Sequence, residues 1–407
     1  MENTLVIHNY SLRISDGFFL SIIVIEGNSQ NSGFVVLLLT QQLIVNSGVL
    51  VFNYQHYVPI LKVRPGEIGA LMELDAATAK RLTPVLIFPR FSDVVKEEIS
   101  QNAIDNYLVN LLPDIKGKWP FLQRVFVDLQ CFDNQRAGSE NFVEYIFDKL
   151  EEYNILGVPV VSFSCSQEFK AVTANINGKC GCGIAVVIED ADYGVVSIQN
   201  LIQEMLASLA CKPGEVDIIL DYKIVNASLQ QAIFASAVFR ISALPHLQKW
   251  RSLTMAAVSY PRDTSEMQKG MNRIPRVEWK IWHQILKTPL KRIPTFGDYN
   301  TFSPSHPDRD PRKKQPEPRL RYTIDSEWLI LNEKDIDKLS TDEFTDICYE
   351  LVQSPEFCGK QYSWGDNFIA RCADGKENPE SPEIWHKVCS NHHLTFITKH
   401  ITKIQEQ

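Results

Sequence analysis

The sequence predicts an α/β fold: a (β/α)8 TIM-barrel-like domain carrying a C-terminal hairpin and a helical extension. Three observations predict it. Short apolar runs rich in Val, Ile and Leu recur along residues 57–299. Stretches with apolar residues at three-and-four spacing, the signature of amphipathic helices, separate most of them. The pattern fills roughly 250 residues, the span of one barrel of this type. An open doubly wound α/β sheet is the alternative. Its nucleotide-binding fingerprints, G-x-G-x-x-G after a strand or G-x-x-x-x-G-K-[ST], are missing.

Residues 1–54 stand apart as an N-terminal extension. No Asp, Glu, Lys or Arg occurs from Gly27 to Leu61, and residues 34–52 read FVVLLLTQQLIVNSGVLVF. That is nearly the length of a bilayer span. Gln41, Gln42, Asn46 and Ser47 interrupt it, and no basic residue flanks it closely. Three readings compete: added strands, a weak membrane segment, or a start codon assigned too early. The third is preferred, then the first, and no membrane partner is expected.

The barrel domain is expected over 55–302. Its strands are YVPILK (57–62), LTPVLIF (82–88), RVFVDL (124–129), GVPVVSF (157–163), GIAVVIE (183–189), VDIILDY (216–222), SLTMAAVSY (252–260) and PTFGDY (294–299). Continuous apolar runs signal burial on both faces, as in a parallel sheet under helices. Segments 140–154 and 197–208 read as two of those helices, and 274–286 as a core helix with Trp279, Trp282 and Leu286 on one face. Residues 303–319, rich in proline and charge, read as a mobile loop in which Arg309, Arg312, Lys313 and Lys314 cluster. Residues 320–407 follow as a hairpin turning at Asp325-Ser326 and two helices. The first spans 340–357, with Ser340 and Glu343 as a capping box. The second starts at Pro382.

Composition sets further bounds. Net charge is −8, with 44% hydrophobic and 22% charged residues, as in a soluble globular protein rather than a basic nucleic-acid clamp. Nine cysteines at no regular spacing fit a reduced, cytoplasmic setting. Cys180-Gly181-Cys182 lacks the second pair a structural zinc site needs. G-x-S-x-G and H-E-x-x-H are absent.

In a barrel of this type, functional groups gather where the strands end. Those ends supply Lys62, Arg64, Arg90, Asp128, Ser162, Ser164, Glu189, Asp221, Arg262 and Asp298. Asp128, Asp221 and Asp298 are the candidate catalytic acids, able to move protons or to hold Mg2+. Lys62, Arg262 and Arg321 are candidate contacts for an anionic ligand, with Tyr299 and Tyr322 beside them. The competing reading makes these charges an internal salt-bridge network. Trp364 and Asp366, in the turn SWGD, are further ligand candidates; helix capping is the plainer role for Asp366.

SNHHLTF (390–396) adds His392 and His393 as candidate catalysts. Adjacent residues on a helix point about 100° apart, so one histidine is expected to face inward and the other outward. His386, His393 and His400 repeat every seven residues, roughly 10 Å per step, too far apart to share a metal.

The ordered motifs YVPILKVRPGE, LTPVLIFPR, VFVDL, IPRVEWKIW, PTFGDY, RYT…WLI, YSWGDNFI and SNHHLTF together resemble the beta family proteins of phages and bacteria, from about Tyr57 to Ile401. The resemblance implies involvement in phage–host conflict and a chain beginning near YVPILK. It carries over no catalytic residues. The expected function is therefore binding of an anionic ligand, a nucleotide or nucleic-acid fragment, in a barrel-mouth cleft. The alternative is a non-catalytic interaction or sensor module with a phage or host protein partner.

Overall fold

All eight apolar runs become strands of one closed, wholly parallel barrel: β3 (Tyr57–Lys62), β4 (Val85–Ile87), β5 (Val125–Asp128), β8 (Gly157–Ser162), β9 (Ile184–Glu189), β10 (Val216–Ile224), β11 (Ser252–Val258) and β13 (Thr295–Asp298). They follow one another in space as in sequence. β13 closes the ring on β3 through Phe296↔Tyr57, Gly297↔Val58 and Asp298↔Pro59. Closure rules out the open sheet. The computed structural model describes residues 5–15, 18–27, 52–89, 105–108, 124–133, 136–137, 140–193, 197–260, 267–268, 270–304, 320–332, 341–377 and 382–404.

The chain divides into Met1–Leu50 and Val51–Gln407. The first unit contains an antiparallel hairpin of β1 (Leu5–Ser15) and β2 (Phe18–Gly27). The bilayer-length run 34–52 lies outside the described residues except for Phe52. Among the described residues, no helix is long and apolar enough to cross a membrane.

In the second unit, the helices over the barrel are α1 (Pro65–Met72), the short α2 (Ala76–Ala79), α3 (Phe142–Glu152), α4 (Gln167–Cys180), α5 (Ile198–Ser208), α6 (Gln230–Ala243) and α7 (Val277–Leu286). A two-residue pair, β6 (Arg136–Ala137) with β7 (Glu140–Asn141), precedes α3. Local chemistry sets the helix starts. Asn141 and Ser166 cap α3 and α4 by accepting the N–H of Val143 and of Phe169. Trp279 and Trp282 of α7 are buried as expected, against Phe296 on the outer face of β13, with ring centroids 4.9 and 5.4 Å away.

Strand alternation therefore sends Phe296 and Asp298 outward and Gly297 inward. A Cβ on Gly297 would lie 2.9 Å from Thr254 Cγ2 and 3.3 Å from Ala256 Cβ across the lumen-facing wall. On the opposite side, a Cβ on Gly157 would meet Phe147 and Leu150 of α3 together with Val127, so Val127 faces out and Asp128 faces in.

The C-terminal part adds a layer. β14 (Leu320–Thr323) and β15 (Glu327–Asn332) form the expected hairpin, and β12 (Gly270–Pro275) joins it in the order β12-β15-β14. That third strand escapes the sequence reading, because the barrel segment supplies it from between β11 and α7. Three helices follow: α8 (Thr341–Gln353), α9 (Trp364–Ala373) and α10 (Pro382–Ile401). α10 packs on α1 and β3 on one side and on α9 and β14 on the other. It thus fills the place of the barrel's eighth helix. Close approach needs glycine at both crossings: a Cβ on Gly66 would lie 2.9 Å from His386 Cβ, and one on Gly365 2.4 Å from the Val388 carbonyl oxygen. Asn391 fastens both sides. Its amide donates to the Ala70 carbonyl at 3.0 Å, and its oxygen accepts the Gly365 N–H at 2.9 Å.

This enclosure overturns the inward-outward expectation for the paired histidines. Ser390, Asn391, His392 and His393 are all fully buried, because the helix is covered on opposite faces rather than on one. Cysteine chemistry departs from expectation at one place: seven cysteines are free thiols, but Cys180 and Cys182 are joined in a disulfide.

Candidate functional site

Strand alternation brings one set of polar side chains to the rim of the barrel. Lys62 and Asp128 occupy one hydrogen-bonded row through Ile87, and Glu189, Asp221, Ala256 and Gly297 occupy another. Ser162 falls on the same face, paired with Val187. Lys62, Asp128, Ser162, Glu189 and Asp221 therefore point into the mouth from the ends of β3, β5, β8, β9 and β10, with Ile87 of β4 between the first two. In β13 the next inward residue is Tyr299, whose phenol donates to Asp221 Oδ2 at 2.5 Å.

The electrostatics of this rim are unusual. Burial pushes the Asp128 carboxyl up to about 6, against two stabilising bonds from the Gln130 backbone and side-chain N–H groups at 3.0 and 3.3 Å. Burial likewise pushes Asp221 up to about 6, against the Tyr299 phenol and the Lys223 N–H. Glu189 adds negative charge near both and is held by Lys223 at 2.7 Å. Beside them, Ser162 donates to the Gln130 side-chain oxygen at 2.6 Å and lies 2.9 Å from Ser164 Oγ.

A cationic flank completes the mouth. Lys62 Nζ stands 5.3 Å from the centroid of Phe302, which packs edge-on against Tyr299. Arg321 donates to the Thr301 carbonyl at 2.7 Å and lies over the Tyr260 ring. Glu67 sits in the first turn of α1, and the charges of Arg64, Lys62 and Arg321 act on it. Its carboxyl is nonetheless pushed up to about 6 by burial. Sequence reasoning missed Glu67. The available signal was its place just after Arg64-Pro65, where a helix starts at a strand end. Arg262 and Arg90 lie outside the described residues, as does the 305–319 part of the basic loop.

The other candidates form a second group that is separate from the lumen. Asp298 faces outward, toward α10. It accepts the Tyr57 phenol at 2.5 Å, His393 Nε2 at 2.9 Å and the Asn300 N–H at 3.0 Å. His393 Nδ1 meets Thr323 Oγ1 at 2.7 Å, and Trp328 stacks on the ring at 4.8 Å. The same Thr323 offers its carbonyl to His392 Nε2 at 2.9 Å. His392 Nδ1 then reaches Asp366 at 2.9 Å, and Asp366 accepts from Tyr322 at 2.7 Å and Ser363 at 2.5 Å. Ser363, not Asp366, caps α9.

Proton positions follow from the partners. A carbonyl can only accept, so His392 Nε2 carries hydrogen. Its other nitrogen faces the Asp366 carboxyl, which burial works against but which facing His392 and the bonds from His392, Ser363 and Tyr322 hold below the ordinary range. At His393 a neutral ring suffices, with Nε2–H donating to Asp298 and Nδ1 accepting from Thr323. Burial drives His393 below the ordinary histidine range despite Asp298, in keeping with that neutral form. Trp364 packs on Phe368 and under Lys387.

Among the described residues, no three His, Cys, Asp or Glu side chains converge as a metal cage. The mouth can move protons, accept hydrogen bonds and place a lysine against an anion. The buried chain can fix helix positions but touches no open space.

No curated protein matches the chain. Residues 57–399, which include the whole barrel, both histidines and the rim, match the family described as Beta protein. The chain belongs to the Beta protein family.

Proposed function

We propose that the barrel mouth binds a small anionic ligand, nucleotide-like or a nucleic-acid fragment, and acts on it by proton transfer. Asp128 and Asp221 are the acid–base pair, Tyr299 positions Asp221, and Lys62, Arg321 and Arg262 meet the anion. One observation carries this reading: two inward carboxyls on the same rim, at the ends of β5 and β10, are both poised to titrate near 6. A general acid or base works best with a pKa near the working pH. Asp298, His393, His392, Asp366 and Tyr322 serve as the scaffold that seats α10. The family resemblance favours a setting in phage–host conflict inside the cell.

The test combines binding and function. Full-length protein is purified without denaturant, and released small molecules and oligonucleotides are identified by mass spectrometry. D128N/D221N should keep the ligand and lose the phenotype or turnover; K62A should lose the ligand. A folded D128N/D221N protein with full activity would sink the proposal. A second reading, a non-catalytic sensor of a phage or host protein, draws on the Lys223–Glu189 pair, which already satisfies part of the rim charge. It predicts that D128N/D221N remains active.

A further inference from the structure

At the opposite end of the barrel from the mouth, α4 ends in Cys180, and the chain reverses through Gly181-Cys182-Gly183 into β9. Gly181 caps the helix in the left-handed region at φ 61°. Gly183 is left-handed as well, at φ 77°, and a Cβ there would lie 2.1 Å from Arg251 Nη1. That guanidinium donates to the Cys182 carbonyl at 2.7 Å, and Asn177 Oδ1 accepts the Gly183 N–H at 2.6 Å. The reversal is thus held from both sides, with the two sulfurs bonded to each other.

The pair is asymmetric. Cys180 is exposed, whereas Cys182 is 1% exposed. A cavity of about 460 Å3 opens at Cys180, lined also by Phe147, Glu151, Ile155, Ile176 and Lys179. It combines an apolar wall, the Lys179 cation and the carboxylates of Asp148 and Glu151, so the carboxylate and the ammonium of a small zwitterionic thiol each meet an opposite charge.

We propose that Cys180–Cys182 is a thiol–disulfide exchange site whose partner is a low-molecular-weight peptide thiol of the glutathione class, seated in this cavity. An incoming thiolate attacks Sγ of Cys180, the accessible sulfur. A new S–S bond forms to Cys180 as the Cys180–Cys182 bond breaks. The electron pair leaves on Cys182 Sγ, which takes a proton from water. A second thiol attacks the mixed disulfide, releasing the small-molecule disulfide and leaving Cys180 as a thiol. Two small thiols are oxidised and the protein disulfide is reduced. The helix C-terminus disfavours a thiolate on Cys180, which biases the resting pair toward the disulfide. This inference does not depend on the reading of the barrel mouth.

The experiment uses full-length protein in glutathione redox buffers without denaturant, followed by acid quench, alkylation and peptide mass spectrometry. Cys180 and Cys182 should switch together, and C182S should trap one glutathione on Cys180 at least tenfold faster than C180S traps it on Cys182. Glu151→Trp, an exposed change that fills the cavity, and Lys179→Ala should each slow exchange with glutathione at least fivefold. Both should leave exchange with 2-mercaptoethanol within twofold. The proposal is overturned if both cysteines alkylate as thiols in air-equilibrated, unreduced protein, or if the pair is reduced only in urea. Equal slowing of both thiols by the cavity variants removes the assigned ligand.

Discussion

His393 Nε2 lies 2.9 Å from Asp298 Oδ2, and both side chains are completely shielded from solvent. The pair joins α10, the last helix, to β13, the last barrel strand. Burial works against the Asp298 charge, but facing His393 and the bonds from His393 and Tyr57 hold its carboxyl below the ordinary range. Removing one partner strands the other in a dry site. H393A, which leaves the Asp298 carboxylate short of a partner, should therefore cost about 3–5 kcal/mol, and D298A, which leaves a neutral ring unsatisfied, about 1–3 kcal/mol. Urea unfolding measures this, and a loss below about 1 kcal/mol would show that the pair does not anchor the helix.

Asp221 makes a prediction about pH. Its folded pKa, about 6, lies above the ordinary value. The stability it contributes is thus fully present below about 4 and lost as pH rises through about 6. D221N has no such dependence. The stability of wild type relative to D221N should rise by about 1–3 kcal/mol between pH 7.5 and 4.5. Paired denaturation curves at the two pH values give the sign directly, and a flat difference contradicts it.

Tyr299 tunes that acid. Its phenol hydrogen bond favours the Asp221 carboxylate, in opposition to burial. Y299F should move the Asp221 midpoint further up, above about 6, as read by carbon-13 NMR of the aspartate carboxyls. A midpoint that falls or stays fixed would remove Tyr299 from the rim's proton chemistry.

Two glycines separate packing from propensity. Gly365→Ala drives a Cβ toward the Val388 carbonyl and should destabilise the fold by about 2 kcal/mol or more. Gly178 is at an exposed position of α4, with nothing within 4 Å of a Cβ. Gly178→Ala should stabilise by about 0.5–1 kcal/mol through helix propensity alone. Thermal melting of the two variants should shift in opposite directions.

What the sequence determined was periodicity and its consequences. Runs such as GVPVVSF and VDIILDY are apolar at every position, which only a strand covered on both faces tolerates, and their repetition between helices implied the parallel barrel. Alternation along single strands then placed Asp128, Asp221 and Lys62 at strand ends, but not on a particular side of the wall. That side is set by barrel closure and register, which pair residues about two hundred positions apart, as Tyr57 does with Phe296. Closure turned Asp298 outward, away from its neighbour Tyr299 in the mouth. It also left room for α10 beside β3, where cover on both faces buried His392 and His393 together. Glu67 joined these charges from the first turn of α1, where Arg64, Lys62 and Arg321 act on it. A one-residue shift of register would reverse each of these placements, so only the assembled tertiary structure could decide them.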